Sequence, residues 1–245
     1  MFVSARSFAE YVMMFNLGDL ELRSQLLDVA AGAASFTAEA CHLGYDAVAL
    51  DPLYSLDLYA VVDRAIGGVA EAWENVNAQV SSFQWDGFFT GRESHGLTRL
   101  TSAAAFLNHL MEAPERYISH SMPNTNIPSR AFDTVLSSHF LFTHAASLSP
   151  EAHVRITLEM VRLARAEVRI YPLVGFYGDA TRHLNVVQSE LSRRGIGVGG
   201  PRLKLQVSSR RRFILAHYRS ARVTNHLGAS DAIAATTVVA IISVK

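Results

Sequence analysis

The sequence predicts an α/β fold: a mostly parallel seven-stranded sheet closed by a final antiparallel strand pair, with a helical insertion over one edge. Three observations predict it. Residues 26–36, Leu-Leu-Asp-Val-Ala-Ala-Gly-Ala-Ala-Ser-Phe, pass from a short apolar run through tiny side chains into a helical pattern. That is the signature of a buried parallel strand turning into the helix behind it. Short apolar runs then alternate with helical periodicity down the chain, and the last two runs are separated only by a polar, arginine-rich turn.

Composition bounds what such a fold would do. The 245 residues suffice for one α/β domain with an insertion and a large core. Lys+Arg and Asp+Glu both number 22, so formal net charge is zero. The densest basic run, Arg210-Arg211-Arg212, is too short for a nucleic-acid footprint, and an anionic membrane surface is disfavoured on the same ground. A single cysteine, Cys41, excludes an internal disulfide and a cysteine-based metal site, and fits a reducing, cytoplasmic setting. The N-terminus lacks the apolar core of a signal peptide. The histidines are scattered, with no paired metal-ligand spacing.

Residues 7–17 read as a helix with Phe8, Val12 and Phe15 on one face and Tyr11 and Met14 beside them, stopped at Gly18. The first strand is 26–30. Ser35 is placed to cap a helix whose buried face carries Phe36, Ala40 and Leu43, with Cys41 on that face and Gly44 at the end. The second strand, 47–50, stops at Asp51. That acid stands nineteen residues past Gly32, about where nucleotide-binding sheets hold a ribose diol. A plain turn cap before Pro52 is the alternative for Asp51.

The third strand, 117–120, comes late. A crossover helix with its loops needs roughly 20–30 residues, so about forty more are inserted across 52–112. Residues 55–80 are helical with a break expected at Gly67-Gly68, residues 81–91 are aromatic-rich (Phe83, Trp85, Phe88, Phe89), and 97–111 are helical again. Such an insertion reads as a lid, or as a helical pair with its own aromatic core. Residues 132–138 read as a turn into the fourth strand. Ser149-Pro150-Glu151 starts a helix with Ala152, Ile156, Met160 and Leu163 on its buried face. The fifth strand is 168–171, followed by a glycine-bearing loop at 174–179 and a helix over 181–194. The closing pair is expected at 203–207 and 213–217. The uncharged tail, 232–244, is too short to span a bilayer, which takes about twenty residues; an added edge strand, a subunit contact or a disordered tail all fit it.

The acid ending the first strand, the small residues at 30, 32 and 34, and the second acid at Asp51 resemble the Rossmann-like class I S-adenosylmethionine (SAM)-dependent methyltransferases. Phe132-Asp133-Thr134-Val135-Leu136-Ser137-Ser138-His139 and Glu167-Val168-Arg169-Ile170-Tyr171-Pro172-Leu173 extend that likeness over residues 5 to about 220. The chain is similar to a small bacterial branch whose turn reads Asp-x-Ala-Ala-Gly. The resemblance implies a domain over 1–220 with a lid at 52–112 and a tail of unknown role at 221–245. It implies SAM as cofactor, with S-adenosylhomocysteine (SAH) as product. Gly32 with Ala30, Ala34 and Ser35 would line the methionine portion, and Asp28 would fix the turn. Asp51 would accept the ribose hydroxyls, Pro52 and Leu53 would lie against adenine, and Ser121 and Met122 would stand near its amine. Tyr11 would fold over the cofactor mouth, and Ser138 would sit at the switch point.

Methyl transfer needs an in-line nucleophile with water excluded, and positioning alone supplies some 7–11 kcal/mol of the barrier. A base is optional; if one acts, a histidine suits it. His139, directly past the fourth strand, is best placed, then His144, then His95 in the lid. Tyr54, Trp85 and Phe140 are the aromatic candidates against a flat acceptor. The implied activity is methylation of an O or N atom of a small aromatic or heterocyclic molecule, with no nucleic-acid or membrane partner and the oligomeric state open. An NAD(P)-linked oxidoreductase and a non-catalytic SAM-binding module are the rival readings; glycine is missing at 30 and 35, where a dinucleotide turn would carry it.

Overall fold

A computed structural model describes residues 3–82, 85, 88–143, 147–173, 180–199 and 240–244. The sheet runs β3-β2-β1-β4-β5-β7-β6, with β1 at Leu26–Val29, β2 at Ala47–Leu50, β3 at Tyr117–Ile118, β4 at Phe132–Ser138, β5 at Ala164–Tyr171, β6 at Gly197–Gly199 and β7 at Ala240–Ser243. The first five strands are mutually parallel. β7 is antiparallel to both its neighbours, β5 and β6. Because β1 lies between β2 and β4, the chain order reverses there, which makes the β1/β4 border the topological switch point.

Alternation along the strands sorts two cores. Leu27, Val29, Val135, Val168, Ile170 and Ile242 point to one face and pack with helices α6 (Pro150–Leu163) and α7 (Ala180–Arg193). Leu26, Ala47 and Leu136 point to the other, where α1 (Phe8–Phe15) and α3 (Phe36–His42) cover them. A four-residue helix, α2 (Asp19–Leu22), links α1 to β1. The insertion is a helical hairpin, α4 (Leu58–Ala78) and α5 (Arg92–Glu112), packed on Ala31, Ala33, Ala49 and Tyr117. Its core is therefore continuous with the turn after β1 rather than private.

Several elements differ from the sequence expectation. α1 ends at Phe15, with Asn16 as its cap in the left-handed region (φ 50°), where Arg169 on β5 reaches across to donate to the carbonyls of Phe15 (2.8 Å) and Asn16 (2.9 Å); Gly18 is not the stop. α3 closes at His42, which leaves Leu43 exposed instead of in the core. α4 runs unbroken through Gly67-Gly68. A Cβ at Gly68 would collide with the carbonyl oxygen of Val3, so this glycine admits the N-terminal arm rather than breaking a helix. β3 covers two residues, and β5 starts four residues before its expected beginning at 168. The expected strands at 203–207 and 213–217, and the 174–179 loop, lie outside the described residues; β6 and the tail's residues 240–243 supply the antiparallel contact.

Candidate active site

The carboxyl ends of β1, β2 and β4 meet around the turn 30–35. Ala30 (φ 56°) and Gly32 (φ 58°) both take the left-handed conformation, strained for alanine and free for glycine. Every backbone N–H of this turn is consumed inside the protein. Ala30 and Ala31 donate to Leu50 O (2.8 and 3.3 Å), and Ala34 donates to Ala31 O (3.1 Å). Gly32 donates to Asp51 Oδ2 (3.0 Å). Ala33 and Ser35 donate to Ser4 O (3.2 Å) and Arg6 O (2.9 Å). Residues 3–6 thus form an arm laid over the turn, trapped between it and Gly68 of α4.

Asp51 ties the turn to the segment after β2: Oδ1 accepts from Leu53 N (2.8 Å) while Oδ2 holds Gly32. A carboxylate has about four acceptor positions, so each oxygen keeps one free for a ligand hydroxyl. Burial raises its pKa, and the two backbone bonds pull the other way. The cap role before Pro52 and the ligand role are therefore compatible. Tyr54 donates its hydroxyl to Gly32 O (2.8 Å), with its ring edge-on to Tyr117 and tilted against Phe106. It acts as a brace for the turn. Leu53 is buried in the same core, and Pro52 is exposed.

Asp28 is buried on the α1 side of β1, and neither carboxylate oxygen has a hydrogen bond of normal geometry, although the Tyr11 hydroxyl stands next to it. Burial drives its pKa well above the usual carboxylate range, and Asp51 adds to the rise. Tyr11 is raised well above the ordinary phenol value, by burial first and by Asp28 second, and it also neighbours Ser138. Its ring stacks on Phe36 at 4.6 Å.

Past β4, His139 has φ 52°, an uncommon conformation for a residue with a side chain. Its N–H donates to Tyr171 O (2.6 Å), and Nδ1 shares a hydrogen bond with Ser138 Oγ (3.0 Å). Its ring meets the Tyr171 ring edge-on at 5.2 Å. The structure therefore gathers Tyr11, Asp28, Ser138, His139 and Tyr171 at the switch point. Phe140 packs toward the α6/α7 core, with Met122 beside the same core; Ser121 is exposed and Trp85 half-buried in the α4–α5 connection. His144 lies outside the described residues.

Two sequence expectations are corrected here. Ser35 occupies the cap position of α3 but makes no side-chain cap bond; its hydroxyl goes to Arg6 O (3.3 Å) and to Glu39. His95 is no base for neutral pH. It is buried beside Arg99, and burial, then the two arginines, push its pKa down to about 3.

The sequence reading missed the arm and the charged cluster under it. Arg99 of α5 forms a buried ion pair with Glu10 of α1, donates to Ala5 O, and donates from Nε to His95 Nε2 (3.2 Å). Arg6 touches Glu10 at 3.4 Å. The Ser7-x-x-Glu10 capping box was the one available signal, and both its bonds form.

No family model matches this chain. It is 29% identical over 190 residues to an uncharacterized protein of Methanocaldococcus jannaschii, across 77% of this chain and 85% of that protein. Among solved structures, a crystal structure titled as a candidate SAM-dependent methyltransferase of Methanococcus maripaludis aligns with a TM-score of 0.33 and 12% identity. That alignment covers 76% of this chain and 61% of the other, so the chain spans about three-fifths of that protein's length.

Proposed function

We propose that this chain is a SAM-dependent methyltransferase acting on an O or N atom of a small aromatic or heterocyclic molecule. One observation carries the reading: the turn 30–35 has spent all its N–H donors inside the protein, and carboxylates and aromatic rings stand beside it together with the arm of residues 3–6. A dinucleotide seats its pyrophosphate on free N–H groups of the glycine turn and of the helix start behind it, and the turn itself offers none. A sulfonium is a cation. It needs no donor, and the Tyr11 and Tyr171 rings are the company a cation prefers. This favours the sulfonium over the NAD(P) reading.

In this reading SAM supplies an activated methyl group. Asp51 holds the ribose hydroxyls with the acceptor positions left by Gly32 and Leu53. Tyr54 and Asp51 together keep the turn in its left-handed shape beneath the arm. His139, fixed by its N–H bond to Tyr171 and by Ser138, stands ready to take a proton from the acceptor. The α4–α5 hairpin and α1 exclude water from the reacting atoms, which strengthens every electrostatic contact inside.

Thermal shift with SAM, SAH, NAD and NADP tests the cofactor. Stabilisation by SAH is expected, and stabilisation by NAD alone would overturn the reading. Incubation with methyl-labelled SAM and a metabolite extract tests turnover: label should pass to a small molecule, and none transferred with SAM bound leaves a binding module.

A further inference from the structure

The arm, α1 and α5 bury an unbalanced set of charges. Arg6 and Arg99 carry two positive charges and Glu10 one negative, and His95 is neutral, since its Nε2 accepts from Arg99 Nε (3.2 Å) and its proton must then sit on Nδ1. Glu10 is fully used. It takes both terminal nitrogens of Arg99, the N–H of Ser7 (2.9 Å) and the Ser7 hydroxyl (3.1 Å), which leaves Arg6 only a long contact at 3.4 Å. Two donors remain buried without an acceptor: Arg6 Nε–H and His95 Nδ1–H, the latter on a side chain only 5% exposed. Buried donors normally find acceptors, and a buried excess charge is costly unless paired.

The place matters as much as the charge. Arg6 lies within electrostatic reach of the Tyr11 and Tyr171 hydroxyls, and of His95. Its own carbonyl accepts from Ser35 at the turn. The uncompensated guanidinium therefore borders the same strand ends where Asp28 and His139 meet. The Phe89 ring lies against Arg99 (5.5 Å), and Arg6 is the most exposed of the three charged side chains.

We propose that Arg6 and His95, braced by the Arg99–Glu10 pair, receive a carboxylate of the ligand bound at the carboxyl ends of β1 and β4. The surplus of one positive charge matches a monoanion. A phosphate dianion would reverse the imbalance instead of cancelling it. An arginine with a free edge suits a planar two-oxygen acceptor. The carboxylate has two sources under the methyltransferase reading on which this rests: the amino-acid end of the cofactor, or an acid group on the methyl acceptor.

The test uses the full chain, wild type and Arg6→Gln, with three probes: acetate against chloride at equal ionic strength, SAH, and 5′-methylthioadenosine, which lacks the amino-acid end. Acetate should raise the melting temperature of the wild type and not of Arg6→Gln. Loss of SAH affinity by about ten- to a hundredfold in the variant, with methylthioadenosine unchanged, assigns the site to the cofactor's carboxylate. Unchanged affinity for both nucleosides, with acetate protection of the SAH complex lost, assigns it to the acceptor's. An acetate effect that needs Arg6 in a protein binding neither nucleoside keeps the anion site and removes the methyltransferase reading. Equal responses of wild type and Arg6→Gln to all three probes overturn the proposal. Should Arg6→Gln not fold, His95→Leu removes the second donor and is read by the same criteria.

Discussion

Asp51 does two things with one carboxylate, and substitutions separate them. It holds Gly32 and Leu53 through their N–H groups, and in the proposed complex it also accepts the ribose hydroxyls. Hydrogen bonds to a charged group contribute about 1.5–3 kcal/mol each, so Asp51→Ala should weaken SAH by roughly tenfold to a hundredfold and also lower the melting temperature. Asp51→Asn keeps an acceptor for one of the two backbone donors and should recover part of the stability but little of the affinity. Calorimetric titration beside a thermal melt reads both, and unchanged SAH affinity in the alanine variant would remove the ribose role. His95 sets a pH window. Its folded pKa of about 3 lies below the ordinary 6.5, so between those values the unfolded chain binds the extra proton and stability falls as pH falls. Glu10, held below the usual carboxylate range by Arg99 and Arg6 against the effect of burial, adds its loss only below the ordinary glutamate value near 4.5. Asp28 and Asp51, both raised, work in the opposite direction. His95→Gln should therefore flatten the decline between pH 6.5 and 4.5 in urea-denaturation midpoints; an unchanged slope there would mean that His95 does not remain neutral in the fold.

At the scale of elements, local chemistry was legible where it was self-sufficient. Ser149-Pro150-Glu151 starts α6 as the sequence indicates, with Ser149 Oγ accepting from Ala152 N (3.2 Å), because a cap needs nothing beyond its own turn. The turn 30–35 was legible for the same reason: small residues between two acids constrain the backbone directly. Gly67-Gly68 misled because its cause is distant. A glycine pair in a helix costs about 1 kcal/mol per residue relative to alanine, and nothing local shows that Val3 lies against Gly68. Leu43 misled through its boundary, since a helix one residue shorter moves it from core to cap. Arg6, Glu10, His95 and Arg99 come from separated stretches, so no periodicity could join them. Gly68→Ala is the sharp probe of the arm. It should improve the intrinsic helix yet destabilise the protein by about 1–3 kcal/mol, because the new methyl drives Val3 off the turn. The measurement is denaturant unfolding; a stabilised variant would show that the arm does not lie there.

For the whole molecule, the first five strands were legible in place, whereas the closing antiparallel pair was legible as a feature but not at the positions of β6 and β7. Parallel strands buried on both faces announce themselves as apolar runs, whereas β6 is Gly-Val-Gly and β7 lies in an uncharged stretch equally suited to an edge or a loose tail. Only the pairing decides, and pairing is not local. Ile242 registers with Val168 on one side and Val198 on the other and is 1% exposed. Ile242→Ala should cost roughly 2–5 kcal/mol, against less than about 0.5 kcal/mol for Ser243→Ala at an exposed position. Equal small effects in equilibrium unfolding would take the tail out of the sheet.

That late strand has a consequence for how the chain is made. A ribosome releases β5 and β6 before residues 200–239 and only then delivers 240–243, which slot between them. At roughly 5–20 residues per second the interval lasts a few seconds. Throughout it, the nascent polypeptide offers the bare margin of β5 to any passing strand. Its exposure to misassembly is therefore set by the pace of translation across that stretch as much as by the strength of the finished fold.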